Sequence, residues 1–144
     1  MKKVWIDGEN ANNTRPESLI VKLLADGAEA GQVTLNAANK WADSIADLPK
    51  YTEAGTEIVY TWSEEALTAG YKLTGESTEG LITTLTNTLV IEVSVKKVWI
   101  DGENAENTRP ESLIVKLLAD GTEIDQVTLK VANNWLDSIA ELPK

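Results

Sequence analysis

Lys2-Lys3-Val4-Trp5-Ile6-Asp7-Gly8-Glu9-Asn10 returns ninety-four positions later as Lys96-Lys97-Val98-Trp99-Ile100-Asp101-Gly102-Glu103-Asn104. Aligning residues 1–50 with 95–144 at that offset, ten of the fifty positions differ and forty are identical. Such self-similarity marks a tandem duplication, and the repeating unit is then the object whose fold has to be explained. The second copy runs only to Leu142-Pro143-Lys144, the counterpart of Leu48-Pro49-Lys50, so residues 51–94 have no second copy in this sequence. The reading is one complete unit over 1–94 and the first half of another over 95–144.

Outward from that stretch, the unit reads as β throughout. Short alternating segments are separated by turn residues, and no long window keeps a helical period. The expected strands are 2–7, 18–25, 31–36, 41–47, 57–64, 71–75 and 81–93. Asp26-Gly27 and its duplicate Asp120-Gly121 have the chemistry of two-residue hairpin turns, and Leu48-Pro49 ends a strand. Seven strands in fewer than a hundred residues predict a two-sheet sandwich. The run Val90-Ile91-Glu92-Val93-Ser94-Val95-Lys96-Lys97 holds no Gly or Pro, so the last strand of the first unit is expected to continue almost directly into the first strand of the second.

Composition narrows the chemistry. Charged residues are 25% of the chain and hydrophobic ones 42%, ordinary values for a folded domain. Thirteen Lys and Arg against 23 Asp and Glu give a formal charge of -10, a poor match to nucleic acid or anionic lipid. With no Cys and no His, disulfides, thiolate metal sites and imidazole triads are all absent. The start has no signal-peptide apolar stretch and no window has the length of a membrane helix, so neither membrane nor leader is expected within these residues. The loop Asp7-Gly8-Glu9-Asn10-Ala11-Asn12 lacks the spacing of a calcium loop and reads as a solvated turn, leaving no metal and no cofactor expected. Trp5, Trp62 and Trp99 alternate with polar neighbours as core residues do.

Side chains alternate across a strand, so residues of one parity share a face. Leu81, Thr83, Leu85, Asn87, Leu89, Ile91 and Val93 fall on one side, which puts Asn87 among apolar residues. Ile58, Tyr60, Trp62 and Glu64 share another face, and Lys3 is in phase with Trp5, as Lys97 is with Trp99. Three inward polar groups from three strands each cost a few kcal/mol unless they satisfy one another, so they are expected to meet. On parity alone the favoured reading is the plain one, a Lys3–Glu64 ion pair beside a satisfied core amide.

Lys-x-Trp-x-Asp, Arg-Pro-Glu-Ser, Leu-Leu-Ala-Asp-Gly, the Trp segment closed by Leu-Pro-Lys-Tyr, Tyr-Thr-Trp-Ser-Glu, Ala-Gly-Tyr and Thr-Asn-Thr together resemble the Cna B-type domain, the B-type repeat of collagen adhesins and other Gram-positive surface proteins. The resemblance covers 2–92 as a full repeat and 96–144 as a half. It implies an all-β, immunoglobulin-like sandwich of the inverse or transthyretin-like kind. It also implies a stalk repeat at the bacterial cell surface, with neighbouring repeats as partners, carrying a self-formed Lys–Asn isopeptide bond assisted by an acid. Residue by residue the bond partners become Lys3 and Asn87 and the acid Glu64, the three residues that parity turns inward. Where the family usually has Asn-Thr-Tyr, this chain has Asn87-Thr88-Leu89.

An apolar setting makes a lysine neutral and nucleophilic, a buried carboxyl can polarise an amide and carry protons, and the fold supplies proximity. The expected chemistry is a single self-modification without turnover. Lys97 has no counterpart of Asn87 in its own half repeat, which suggests a strand-exchanged homo-oligomer in which residues 51–93 of a second copy complete 95–144 and bring Asn87 to Lys97. The competing reading is a binding module whose loops contact host matrix protein or glycan. A hydrolase is disfavoured because no paired carboxylates or nucleophile-base set stand out.

Overall fold

The computed structural model describes residues 1–65 and 70–144. They form nine strands: β1 (Lys2–Ile6), β2 (Ser18–Ala25), β3 (Ala28–Asn36), β4 (Tyr60–Glu64), β5 (Tyr71–Glu79), β6 (Ile82–Lys96), β7 (Ser112–Ala119), β8 (Thr122–Lys130) and β9 (Leu136–Pro143). Two short 3-10 turns, Gly102–Asn104 and Val131–Asn133, are the helical elements among them. Residues Met1–Leu89 with Lys144 make one compact unit and Val90–Pro143 a second.

In the first unit, β6 is central in one sheet, pairing in parallel with β1 and antiparallel with β5. The other sheet has the order β3-β2-β4, all antiparallel. Between the sheets lie Met1, Leu19, Val21, Val33, Leu35 and Leu85, with Trp5, Trp41, Ile45 and Trp62 packed around them. This is the expected immunoglobulin-like two-sheet sandwich, and the parallel β1–β6 pair is its first-to-last-strand closure. The Asp26-Gly27 turn has φ of 48° and 85° and joins the Ala25–Ala28 pair, the double positive φ of a type I′ hairpin. Asp120-Gly121 repeats it with 49° and 82°.

Several strand bounds move. The third strand begins at Ala28, directly after the turn, and the one expected at 57–64 is a ladder only from Tyr60. The strand expected at 71–75 runs to Glu79, because Gly75 sits at a register shift that the pairing with β6 passes over. Leu81, expected on the inner face of the last strand, is 100% exposed: it follows Gly80 (φ 59°) in the β5–β6 turn, where alternation has no sheet to refer to. Residues 41–47 form no strand and make one isolated bridge, Lys2–Ala42. Ala69 of the Ala-Gly-Tyr motif lies outside the described residues.

In the second unit, β7 pairs with β8 in the register of β2 with β3. The duplicate of 42–49, namely β9, is a strand here, paired antiparallel with the Val90–Lys96 part of β6. Residues 97–100 form no ladder, although Lys97 N donates to Trp135 O (2.9 Å) as Lys3 N does to Trp41 O (2.8 Å). The reason is pairing: β1 is held by β6, and the second unit has no counterpart of Ile82–Leu89 to hold Lys97–Ile100.

Candidate functional site

Lys3 lies on β1 between Lys2 and Val4, whose side chains take the opposite face, so its own side chain turns inward and is buried, level with the core residue Leu85. In the parallel ladder Lys3 is level with Leu85 and Trp5 with Asn87, which places Asn87 one inward step from Lys3 on the neighbouring strand. Glu64 comes from the other sheet, at the end of β4 opposite the fully buried Val21. Its carboxylate accepts a hydrogen bond from Lys3 Nζ, so the ion pair spans the two sheets. The Lys3 side chain has no exposed surface and that of Glu64 is 8% exposed. Burial pushes the Lys3 ammonium below its ordinary pKa, against the opposing hydrogen bond and charge of Glu64.

Asn87 is 1% exposed, between the buried Leu85 and Leu89. Its Oδ1 has no hydrogen-bond partner among the described residues. A buried carbonyl left unpaired is uncommon and costs about 1–3 kcal/mol. Thus the three inward polar residues do not satisfy one another completely: Lys3 and Glu64 pair across the two sheets, and the carbonyl of Asn87, on the strand beside Lys3, has no partner among the described residues. Trp5, level with Asn87, also has an unpaired buried donor, Nε1. Its ring is held edge-on by Trp41 (5.0 Å) and Tyr71 (4.9 Å), with the Lys3 amine 5.5 Å from its centre.

A second buried polar group escaped the sequence reading. Asp7, expected in a solvated turn, is buried. Arg15 grips it with Nε to Oδ2 (2.6 Å) and Nη2 to Oδ1 (2.5 Å), the Tyr71 hydroxyl donates to Oδ2 (2.7 Å), and Asn10 N donates to Oδ1 (3.1 Å). The Arg15 hydrogen bonds hold the Asp7 carboxyl down at about 2, with help from Tyr71 and against burial. The signal was present: Asp7 continues the phase of Lys3 and Trp5, and an Arg recurs eight residues after the Asp in both copies. Asp101 and Arg109 form the same grip (2.7 and 2.5 Å), without a tyrosine in the position of Tyr71. Among the described residues no His, Cys, Asp or Glu cluster has the form of a metal site.

Lys97, the fourth expected site residue, is exposed, with its amine 4.7 Å from the centre of the Trp99 ring. The structure pairs Lys3 with Glu64 and places buried Asn87 on the strand beside Lys3, and the second unit has no counterpart of Asn87 for Lys97.

Comparison with known proteins gives a consistent picture. The family model described as the Cna protein B-type domain matches residues 1–88 and again 93–144. A collagen adhesin of Staphylococcus aureus is 33% identical over 138 residues, covering 93% of this chain; the chain spans 11% of that protein's length. Two crystal structures of B repeat units of the collagen-binding protein of S. aureus, one of a single repeat and one of two, each align with 99% of this chain. Both do so at 31% identity with a TM-score of 0.51, over 74% and 37% of their own chains.

Proposed function

The chain belongs to the family of Cna protein B-type domains, and from that premise we propose that it is a stalk repeat of a bacterial surface adhesin, stabilised by an isopeptide bond between Lys3 and Asn87. The observation that carries this reading is the unpaired, buried carbonyl of Asn87 on the strand beside a buried Lys3–Glu64 pair. A core selected only for stability would close that carbonyl with a donor or replace the amide by an apolar side chain.

The step balances as an aminolysis. Glu64 takes a proton from the Lys3 ammonium, leaving a neutral amine and a neutral carboxylic acid, a transfer favoured where water is excluded. Lys3 Nζ forms a bond to Cγ of Asn87 while the acid polarises Oδ1. A proton relayed by Glu64 to the side-chain nitrogen lets the Cγ–Nδ2 bond break, releasing ammonia. The attacking nitrogen, cationic once the new bond has formed, gives one hydrogen to the Glu64 carboxylate and keeps the other as the amide N–H, so no oxidant, cofactor or second substrate is consumed. The reaction happens once per chain, which makes the module a structural element and not a turnover enzyme.

Intact mass tests the bond. The folded protein is expected to weigh one ammonia less than its sequence, and Lys3→Ala and Asn87→Ala are each expected to restore the full mass. An unreduced mass in folded wild-type protein overturns the proposal.

The stalk reading extends to location and partners. The relative is a collagen adhesin, and an extracellular surface position with neighbouring repeats as partners follows by analogy. The exposed Lys97 fits an exchange in which residues 51–93 of a second copy complete the half repeat. Size-exclusion chromatography across a concentration series decides that point: a growing dimer fraction supports exchange, and monomer throughout excludes it.

A further inference from the structure

Residues 42–49 and 136–143 are the same segment of the repeat, with Ala42 and Asp47 replaced by Leu136 and Glu141 in the second copy. One is strand β9 and the other is not. The difference lies in what stands beside them. The second unit begins with a leader, Val90–Lys96, ahead of its Lys-x-Trp motif, and β9 pairs along it: Lys96–Leu136, Val95–Asp137, Ser94–Ser138, Val93–Ile139, Ile91–Leu142 and Val90–Pro143.

The first unit reproduces the beginning of that ladder. Lys2–Ala42 is the same rung as Lys96–Leu136. One step on, the Met1 amine donates to Asp43 O (2.6 Å) and Asp43 N donates to Met1 O (3.2 Å), in the place of Val95–Asp137. Beyond Asp43 the segment forms no ladder but shares one backbone feature with β9. Asp47 holds a φ of 57°, matching the 61° of Glu141 next to the register shift between Ile91 and Val93. A non-glycine residue in that region is strained and persists where the surroundings impose it. A partly open cavity of about 570 Å³ lies against the segment, lined by Ser44, Ile45, Leu48 and Pro49 together with Met1 and Trp62.

We propose that residues 43–49 are a preformed strand acceptor whose occupant is the leader of a preceding copy of the repeat, a stretch of the type Val-Ile-Glu-Val-Ser-Val, entering by β-augmentation in the register of β6 with β9. The main-chain ladder supplies the affinity, and the alternating Val and Ile side chains meet Ile45 and Leu48 as Val93 and Ile91 meet Ile139 and Leu142. Each repeat in a tandem array is then completed by the six or so residues that precede it. This inference stands on the tandem repeat and is independent of the isopeptide bond.

Hydrogen exchange tests it in two steps. In the protein as it stands, amides of 44–48 are expected to exchange about tenfold or more faster than those of 138–142, despite near-identical sequence. Equal protection would mean there is no open acceptor, and overturns the proposal. Replacing Met1 by Met followed by a copy of Val90–Val95 is then expected to slow exchange across 44–48 to the level of 138–142 and to raise Tm. A Gly-Ser extension of the same length is expected to do neither. If the leader copy leaves 44–48 unprotected, or the Gly-Ser extension protects them equally, the acceptor is not specific for this strand and the proposal fails. Intact mass read in parallel keeps the two ideas separate, since the ammonia deficit is expected in every one of these versions.

Discussion

Two buried carboxylates, Glu64 and Asp7, sit within one small core and do different things because of what faces them. Glu64 faces an amine that burial disfavours as a cation, so a proton can pass between them; Glu64→Gln keeps the volume and removes that route. Bond formation is expected to slow by about a hundredfold to ten-thousandfold, read as the rate at which the ammonia deficit appears after folding, and an unchanged rate would remove Glu64 from the chemistry. Asp7 faces a guanidinium that cannot lose its proton, so its carboxyl stays ionised. Its pKa of about 2 lies below the unfolded value near 3.9, so its stabilisation is complete above pH 4 and is lost as pH falls from about 4 to 2. That linkage is worth roughly 2–3 kcal/mol. Asp7→Asn is expected to lose it at neutral pH and to flatten stability between pH 4 and 2, measured by denaturant titrations at fixed pH. Equal acid sensitivity in the variant would show that other carboxyls dominate. Lys3 and Glu64 were legible by parity because their strands alternate cleanly: Ile58, Tyr60, Trp62 and Glu64 are the half-buried face and Glu57, Val59, Thr61 and Ser63 the exposed one. Asp7 was not, because a Gly follows it and the eye reads a turn, whereas its burial is decided by Arg15 and by Tyr71, sixty-four residues away.

At the scale of the element, β1 and β6 are neighbours in space and almost the whole repeat apart in sequence. A bond from Lys3 to Asn87 closes a loop of 84 residue steps. In the loop-entropy treatment used for disulfides that closure restricts the unfolded chain by about 4–5 kcal/mol. Asn87→Leu conserves bulk, removes the unpaired carbonyl and removes the cross-link. If the bond forms, the variant is expected to be less stable than wild type by a few kcal/mol, the closure loss partly offset by the apolar gain; if the variant equals or exceeds wild type in denaturant unfolding, no covalent link was holding these strands. Strand existence was largely readable at this scale, since two-residue turns such as Asp26-Gly27 and clean alternation are local properties. What was not readable was pairing. Residues 42–49 and 136–143 share their pattern and differ in outcome because a strand is completed by its neighbour, and the neighbour of one is Val90–Lys96. The end of β5 and the exposed Leu81 show the same limit: alternation says which residues share a face, and only the ladder says where the face stops.

For the molecule as a whole, the duplication is an internal control on how much of a fold's stability lies in its second half. Leu19, Val21, Leu23, Val33 and Leu35 are at most 6% exposed in the first unit, where Leu85 lies over the β2–β3 face in the same core. Their identical counterparts Leu113, Val115, Leu117 and Val127 are only half-buried in the second, with Leu129 alone fully covered, and a cavity of about 190 Å³ opens between Val115, Leu117, Val127 and the Val93–Val95 edge. Apolar area left in contact with water forfeits about 25 cal/mol per Å². The second unit also has no tyrosine on its Asp101–Arg109 grip and no counterpart of Asn87 for Lys97. The two units are therefore expected to unfold separately, residues 112–143 opening first and 1–89 persisting to higher denaturant, as seen by hydrogen exchange followed through a guanidinium series. Coincident loss of protection in both would mean that the half repeat is covered in solution, and if that coincidence holds only at high protein concentration, the cover is a second chain. If the proposed cross-link forms, adding the Lys3→Ala change should then draw the transition of residues 1–89 down toward that of 112–143 and leave the latter where it is, because the bond would tie strands of the first unit alone.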